Sequence, residues 1–333
     1  MLHILEITFP FFALVLCGYA VARCGWLPLE SIPGLNLFVL YFALPCMLFR
    51  FGAATPIARM LDPSIFGTYL LCALLMVGLC VITTRTGTVS WNDASFGALV
   101  AAFPNSGFMG VPLLVGLLGD RAAAPAIVAL AVDMVITSSL CIALSRRGTG
   151  AATGQAHSSS RAVLNALKGM AANPLPWSIG LGCVVSATSV SVPGVLMRPV
   201  TMLADAASPV ALFALGAMLA RSSMRAALTA SASASASTTT APRRSDVPLI
   251  VFYKLIVHPA LVLGTGRLAI AMGAPLDGFA ATVLALVAAL PSASNVPMLA
   301  ERFGADAGRI ARIVLISTAL AFLSFSAAVA LLV

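Results

Sequence analysis

The chain has 333 residues, of which 60% are hydrophobic and 9% charged, and its net charge is +8. An average soluble domain carries about 25% charged residues. Nineteen basic and 11 acidic side chains cannot clothe a soluble fold of this length, which excludes a soluble enzyme, a nucleic-acid binder and a disordered protein. With a mean hydropathy of +1.03, and at roughly 20 apolar residues per crossing, the composition suffices for about ten membrane helices.

Ten apolar stretches are predicted near residues 4–23, 32–51, 64–84, 94–118, 122–144, 175–192, 195–220, 247–272, 277–302 and 309–332. The first lacks the basic run and small-residue cleavage site of a signal peptide and reads as a retained span. The seven cysteines show no CxxC spacing and read as free thiols packed as small hydrophobes. Two polar segments interrupt the apolar pattern. The chain thus divides into a first helical unit at 1–144, a cytoplasmic loop at 145–173 and a second unit at 174–333. The second unit contains a polar stretch at 222–246, whose core Thr229–Ala241 reads TASASASASTTTA. Such a low-complexity run has nothing to bury and is expected to be a disordered cytoplasmic linker.

Basic residues set the orientation. With the N-terminus outside, 13 of them fall on inner loops, among them Arg23, Arg85, Arg146, Arg147, Arg221 and Arg302. Five fall outside: Arg50, Arg59, Arg121, Arg198 and Arg267. The bias predicts both termini outside and both polar segments in the cytoplasm.

The most specific feature is a self-match. Residues 98–104 read ALVAAFP and residues 285–291 read ALVAALP, six of seven identical at an offset of 187. Proline pairs follow in both copies, Pro104 and Pro112, then Pro291 and Pro297. A weaker match joins Ala43-Leu-Pro45-Cys-Met-Leu-Phe49 to Ala207-Ser-Pro209-Val-Ala-Leu-Phe213. The copies fall in the fourth and ninth spans, so the repeat unit is five helices, and an odd number of crossings inverts the second copy. The fold class expected is all-α and polytopic: ten transmembrane helices in two inverted five-helix repeats, with helices 4 and 9 broken. Inverted repeats with interrupted helices mark secondary transporters, whose substrates bind where the breaks meet.

Proline causes the breaks. It lacks an amide donor, clashes with the carbonyl one turn back, and forces the preceding residue out of the α region. Unpaired backbone groups at membrane depth are tolerated only within protein or beside a watery cavity. Pro104, Asn105 and Ser106 from one break, with Pro291, Ser292, Ser294 and Asn295 from the other, are therefore the candidate substrate-binding residues. Each second half-helix starts at the midplane with its positive dipole end, which favours an anion such as a carboxylate. The first half-helices end there with negative ends, so the dipoles set a preference only.

At these residues the chain resembles the auxin efflux carrier family, which includes plant auxin exporters and bacterial malonate and malate carriers. The resemblance rests on Leu35–Pro45, Pro104–Pro112, Lys254-Leu-Ile-Val-His-Pro259 and Leu290-Pro-Ser-Ala-Ser-Asn-Val-Pro297, and spans the chain outside its polar segments. It implies ten helices in two inverted repeats crossed at helices 4 and 9, and a transport domain that moves against a scaffold in elevator fashion. It also implies that Asn105 helps hold a substrate carboxylate. The second repeat departs from the first, because Ser292 follows its proline and Asn295 stands three residues further on.

Ionisable residues inside spans are costly and default to functional candidates. Asp133 lies mid-span five, Asp205 mid-span seven, and Lys254 and His258 share one face of span eight. Glu6 lies near the end of the first span and reads as interfacial. Lys254 is expected to pair with Asp205 or Asp133, as a proton or charge-coupling relay or as a static buried pair; both readings stand. His258 reads as a packing residue.

A membrane-embedded enzyme is disfavoured, since no GxGD, HExxH, DDxxD, GxSxG or P-loop is present. No catalytic residue, metal site or cofactor is expected. The function expected is a secondary transporter of small organic carboxylates, malonate- or malate-like or auxin-like, in the bacterial inner membrane. A channel and a non-transporting sensor or scaffold are the alternatives. The partners expected are the organic anion and membrane lipid, without nucleic acid; proton coupling against uniport and a homodimer against a monomer stay open.

Overall fold

The computed structural model describes residues 2–55, 62–85, 89–153, 174–235 and 246–333. Among them there is no β-strand, and the elements are helices throughout. In chain order they are α1 (Leu2–Arg23), α2 (Leu29–Ala54), α3 (Pro63–Thr84), α4 (Trp91–Ala102), α5 (Ser106–Leu118) and α6, which begins at Asp120 and runs on to Thr153. Then come α7 (Pro174–Thr188), α8 (Gly194–Ser235), α9 (Val247–Ala271), α10 (Gly278–Ala289), α11 (Val296–Arg302) and α12 (Ala307–Leu332). Six of these are long and apolar enough to cross a membrane: α2, α3, α6, α8, α9 and α12. Their outward faces carry exposed apolar side chains such as Leu71, Leu75, Leu196, Leu268 and Leu323. This is a polytopic helical membrane protein.

Local chemistry starts the helices. Asp62 accepts from the Ser64 and Ile65 amides at the head of α3, Ser90 from the Asp93 amide at α4, Asp277 from Phe279 at α10 and Asp306 from Arg309 at α12. Each cap satisfies amides that the first helical turn leaves open. Helix α8 carries past the expected span into the polar stretch as far as Ser235. Its alanines are strong helix formers. Residues 236–245 and 154–173, the rest of the two polar segments, lie outside the described residues.

Two groups of helices pack together. In one, α1 lies against α8, α7 against α2, and α2 against α8. Glycines set these crossings. A Cβ on Gly18 would sit 2.0 Å from the Phe213 carbonyl oxygen, and one on Gly216 would sit 1.8 Å from that of Val15. At the other crossing, a Cβ on Gly182 would sit 2.5 Å from the Phe49 carbonyl oxygen, and one on Gly52 would sit 3.0 Å from that of Ile179. Backbone therefore touches backbone, as small residues permit in membrane helices. The second group holds α3 to α6 and α9 to α12. At its centre, α4 beyond Asp93 and α10 beyond Phe279 are largely apolar on every side and almost wholly buried, as expected for a helix without a polar face. Each has 12 residues, about 18 Å at 1.5 Å per residue, too short for a hydrocarbon layer of about 30 Å. Between the groups, α1 and α8 face α5 and α12. An apolar cavity of about 260 Å³ opens on this seam, lined by Phe12, Val15, Tyr19, Leu219, Leu315 and Thr318 among others.

Candidate functional site

The two short central helices stop at proline. Helix α4 ends at Ala102; Phe103 turns extended (φ −94°, ψ 103°) ahead of Pro104, the conformation a following proline imposes. Helix α10 ends at Ala289, and Leu290 is likewise extended (φ −63°, ψ 155°) ahead of Pro291. The two extended pieces meet as an isolated antiparallel bridge, Pro104 opposite Ser292. The Asn105 amide donates to the Pro291 carbonyl (2.8 Å), and the Ala293 amide to the Phe103 carbonyl (3.0 Å).

The remaining broken bonds are met by side chains. Pro104 cannot donate to the Val100 carbonyl; the Ser292 hydroxyl does so instead, at 2.8 Å. The Ser292 amide, the helical donor for the Ala288 carbonyl, goes to Ser317 Oγ (3.3 Å). Lys254 Nζ donates to that Ala288 carbonyl at 3.0 Å. Each break is thus completed by groups from distant parts of the chain, as buried backbone requires.

One group at the crossing has no partner. Asn105 is 1% exposed, and its side-chain Nδ2 makes no hydrogen bond. Beyond it, α5 begins with the π turn Ser106–Gly110. The Met109 and Gly110 amides return to the Asn105 carbonyl, and the Ser106 amide to that of Pro104. Those of Gly107 and Phe108 fall between, at the partly exposed mouth of the half-helix. An unpartnered amide donor beside a helix N-terminus is suited to an anion. The break packs closely here: a Cβ on Gly110 would meet Leu290 Cδ1 at 2.6 Å, and that side chain would have to shift.

The structure therefore gathers Pro104, Asn105, Ser106, Pro291 and Ser292 at one point. Ser292 is occupied in holding the crossing. Ser294 is buried and Asn295 half-buried on the way into α11, which has seven residues.

The ionisable residues separate. Asp205, expected among the buried charges, is 63% exposed on α8 and pairs with Arg50 of α2 at 2.6 Å. The expected Lys254 pairing with Asp205 is not formed, because the two lie in different helix groups. Lys254 and Asp133 are both wholly buried, yet they are not in contact. Tyr69 Oη donates to Asp133 Oδ2 (2.7 Å) and Thr137 Oγ1 to Oδ1 (3.1 Å). Lys254 Nζ lies 3.1 Å from His258 Nδ1, and His258 Nε2 has no partner. Tyr69 and Ser317 escaped the sequence reading. Tyr69 left one signal, a hydroxyl inside an apolar span that must find an acceptor.

A second polar cluster lies at the heads of α4, α9 and α12. Arg309 Nε and Nη2 clasp the two oxygens of Asp246, and Nη1 donates to the Asp93 carbonyl (2.9 Å).

A protein of Rhizobium meliloti (strain 1021) named "Putative malonate transporter" is 29% identical over 326 residues, covering 96% of this chain and 93% of that one. "Uncharacterized transporter YfdV" of Escherichia coli (strain K12) is 25% identical over 303 residues, covering 88% and 86%. The chain is a multi-pass integral membrane protein of a transporter family, not an enzyme. A family model described as "Membrane transport protein" matches residues 3–329, so the chain belongs to that membrane transport family, the auxin efflux carrier family its motifs resemble.

Proposed function

We propose that the chain is a secondary transporter that holds a small organic carboxylate at the crossing of its two broken helices. The observation that carries this reading is the buried, unpartnered Nδ2 of Asn105 beside the head of α5. A buried donor left unpaired costs about 1–3 kcal/mol, a cost that a carboxylate oxygen removes. Malonate is the first substrate to test, on the name of the Rhizobium meliloti relative; malate and indole-acetate follow.

The same reading takes the fold as two inverted five-helix repeats. The glycine crossings support it: Gly18 and Gly182 are 164 residues apart, as are Gly52 and Gly216. One contact maps onto the other when the repeats are exchanged. The offset grows to 187 by the fourth span, across the polar stretch that only the second repeat carries. The group α3–α6 with α9–α12 is then the moving domain, and α1, α2, α7 and α8 the scaffold, in an elevator motion along their apolar seam. Asp133 and Lys254 lie within the moving group and are the coupling candidates.

The test is uptake of labelled malonate, malate and indole-acetate into liposomes holding the purified protein. Asn105→Ala should abolish uptake of the carried anion while leaving membrane insertion intact. Unchanged transport kinetics in that variant would overturn the site.

A further inference from the structure

Four polar side chains are sealed behind the second break. Asp133 opens the π turn Asp133–Thr137 of α6, and Lys254 lies in the π turn Tyr253–Val257 of α9. Such turns inside α-helices recur at functional sites. Tyr69, Asp133, Lys254 and His258 are all wholly buried. The other titratable groups facing them are the buried thiols Cys72 of α3 and Cys141 of α6, with Cys80 of α3 beside Cys141.

One set of protonation states meets this geometry. Asp133 accepts a hydroxyl on each oxygen, so it is drawn as a carboxylate. Lys254 Nζ faces a carbonyl, which takes a donor, and His258 Nδ1. An ammonium satisfies both, which leaves His258 neutral with its proton on Nε2. One negative and one positive charge are therefore buried, near each other and not in contact. Their sum is zero.

A carboxylate bound at Asn105 changes that sum to minus one inside a low-dielectric domain, where an unbalanced charge is expensive. We propose that Asp133 is a proton-binding site that loads one proton with each carboxylate held at Asn105. This rests on the carboxylate reading of the crossing. Lys254 stays charged in both states, balancing Asp133 when the site is empty and the one carboxylate held at Asn105 when it is full; the second carboxylate of a dianion such as malonate lies outside this balance. On loading, a hydronium ion forms an O–H bond with an Asp133 oxygen and leaves as water. On release, that bond breaks and the proton returns to water on the other side. Tyr69 turns from donor to acceptor at the protonated oxygen. The link to the crossing is short: Lys254 holds the carbonyl of Ala288, three residues before Pro291, whose own carbonyl takes the Asn105 amide.

Two measurements on the purified full chain test this. Calorimetric titration with malonate at about pH 8, where both its carboxyls are ionised, is run in buffers of different ionisation enthalpy and counts protons taken up on binding. Wild type is expected to take up one more proton per malonate than Asp133→Asn; equal uptake overturns the proposal. Infrared difference spectra across a pH titration without substrate should show a protonated-carboxyl band that Asp133→Asn removes and Asp133→Glu shifts. The second variant serves if the first does not fold. A spectrum with no such band overturns the proposal, whatever malonate does. Absence of malonate binding in wild type would instead count against malonate as the anion, and the infrared titration still decides Asp133.

Discussion

The hydroxyl of Ser292 donates to the carbonyl of Val100, 192 positions earlier in the chain, at 2.8 Å. The bond replaces the helical donor that Pro104 lacks, so each proline break depends on the other. Ser292→Ala leaves a buried carbonyl unmet, at about 1–3 kcal/mol. Thermal unfolding in detergent should show that loss, and transport should slow with it. A variant as stable as wild type would mean that water fills the place.

Arg309 should be the most sensitive charge in the molecule. Its guanidinium is nearly buried and binds Asp246 through two nitrogens and the Asp93 carbonyl through a third. Removing one partner of a buried pair costs about 3–5 kcal/mol. Arg309→Ala is expected to lower the yield of folded protein sharply. Arg309→Lys should recover only part, because an ammonium cannot make the two-pronged contact. Comparable melting temperatures for the Lys variant and wild type would show that charge alone suffices.

The glycine crossings tolerate nothing larger. At Gly216 a methyl group would overlap the Val15 carbonyl, and at Gly182 that of Phe49. Gly216→Ala and Gly182→Ala should each force α1 from α8, or α7 from α2, with large losses of thermal stability. Gly116→Ala, where the space is open, is the matched control and should behave as wild type or slightly better, since alanine favours helix.

Asp205 should matter little. Its pair with Arg50 is exposed, and such pairs contribute about 0–1 kcal/mol. Asp205→Asn is expected to keep the wild-type proton count per anion, in contrast to Asp133→Asn. A changed count in the Asp205 variant would place a coupling group on the wrong helix group for the assignment above.

Most of the helices were legible, because an apolar run of about 20 residues has few other fates in a chain this poor in charge. The breaks were legible too, since proline and the repeated ALVAA run mark them in the letters. What the letters could not state was which polar side chain answers which orphaned group. Hydropathy shows that Asp205 and Asp133 both sit within apolar spans, but not which face of the helix carries each. One therefore ends exposed beside Arg50 and the other wholly buried beside Tyr69. Lys254 was expected to seek a carboxylate and instead holds the Ala288 carbonyl. That carbonyl is orphaned in the next helix, α10, by a break whose closure depends on Ser317. Such matches belong to three-dimensional packing, and sequence spacing carries no trace of them.

The crossing also sets an order of events in biosynthesis. The carbonyls of Val100 and Phe103 receive their donors from Ser292 and Ala293. A nascent chain has synthesised nearly all of its helices before those two residues emerge. Until then the break after α4 cannot close in this way, and its open carbonyls need water or another donor. Chains truncated ahead of Ser292 would stay in that open form, recognisable to cellular quality control. The last short helices thus complete the first half of the molecule as well as the second.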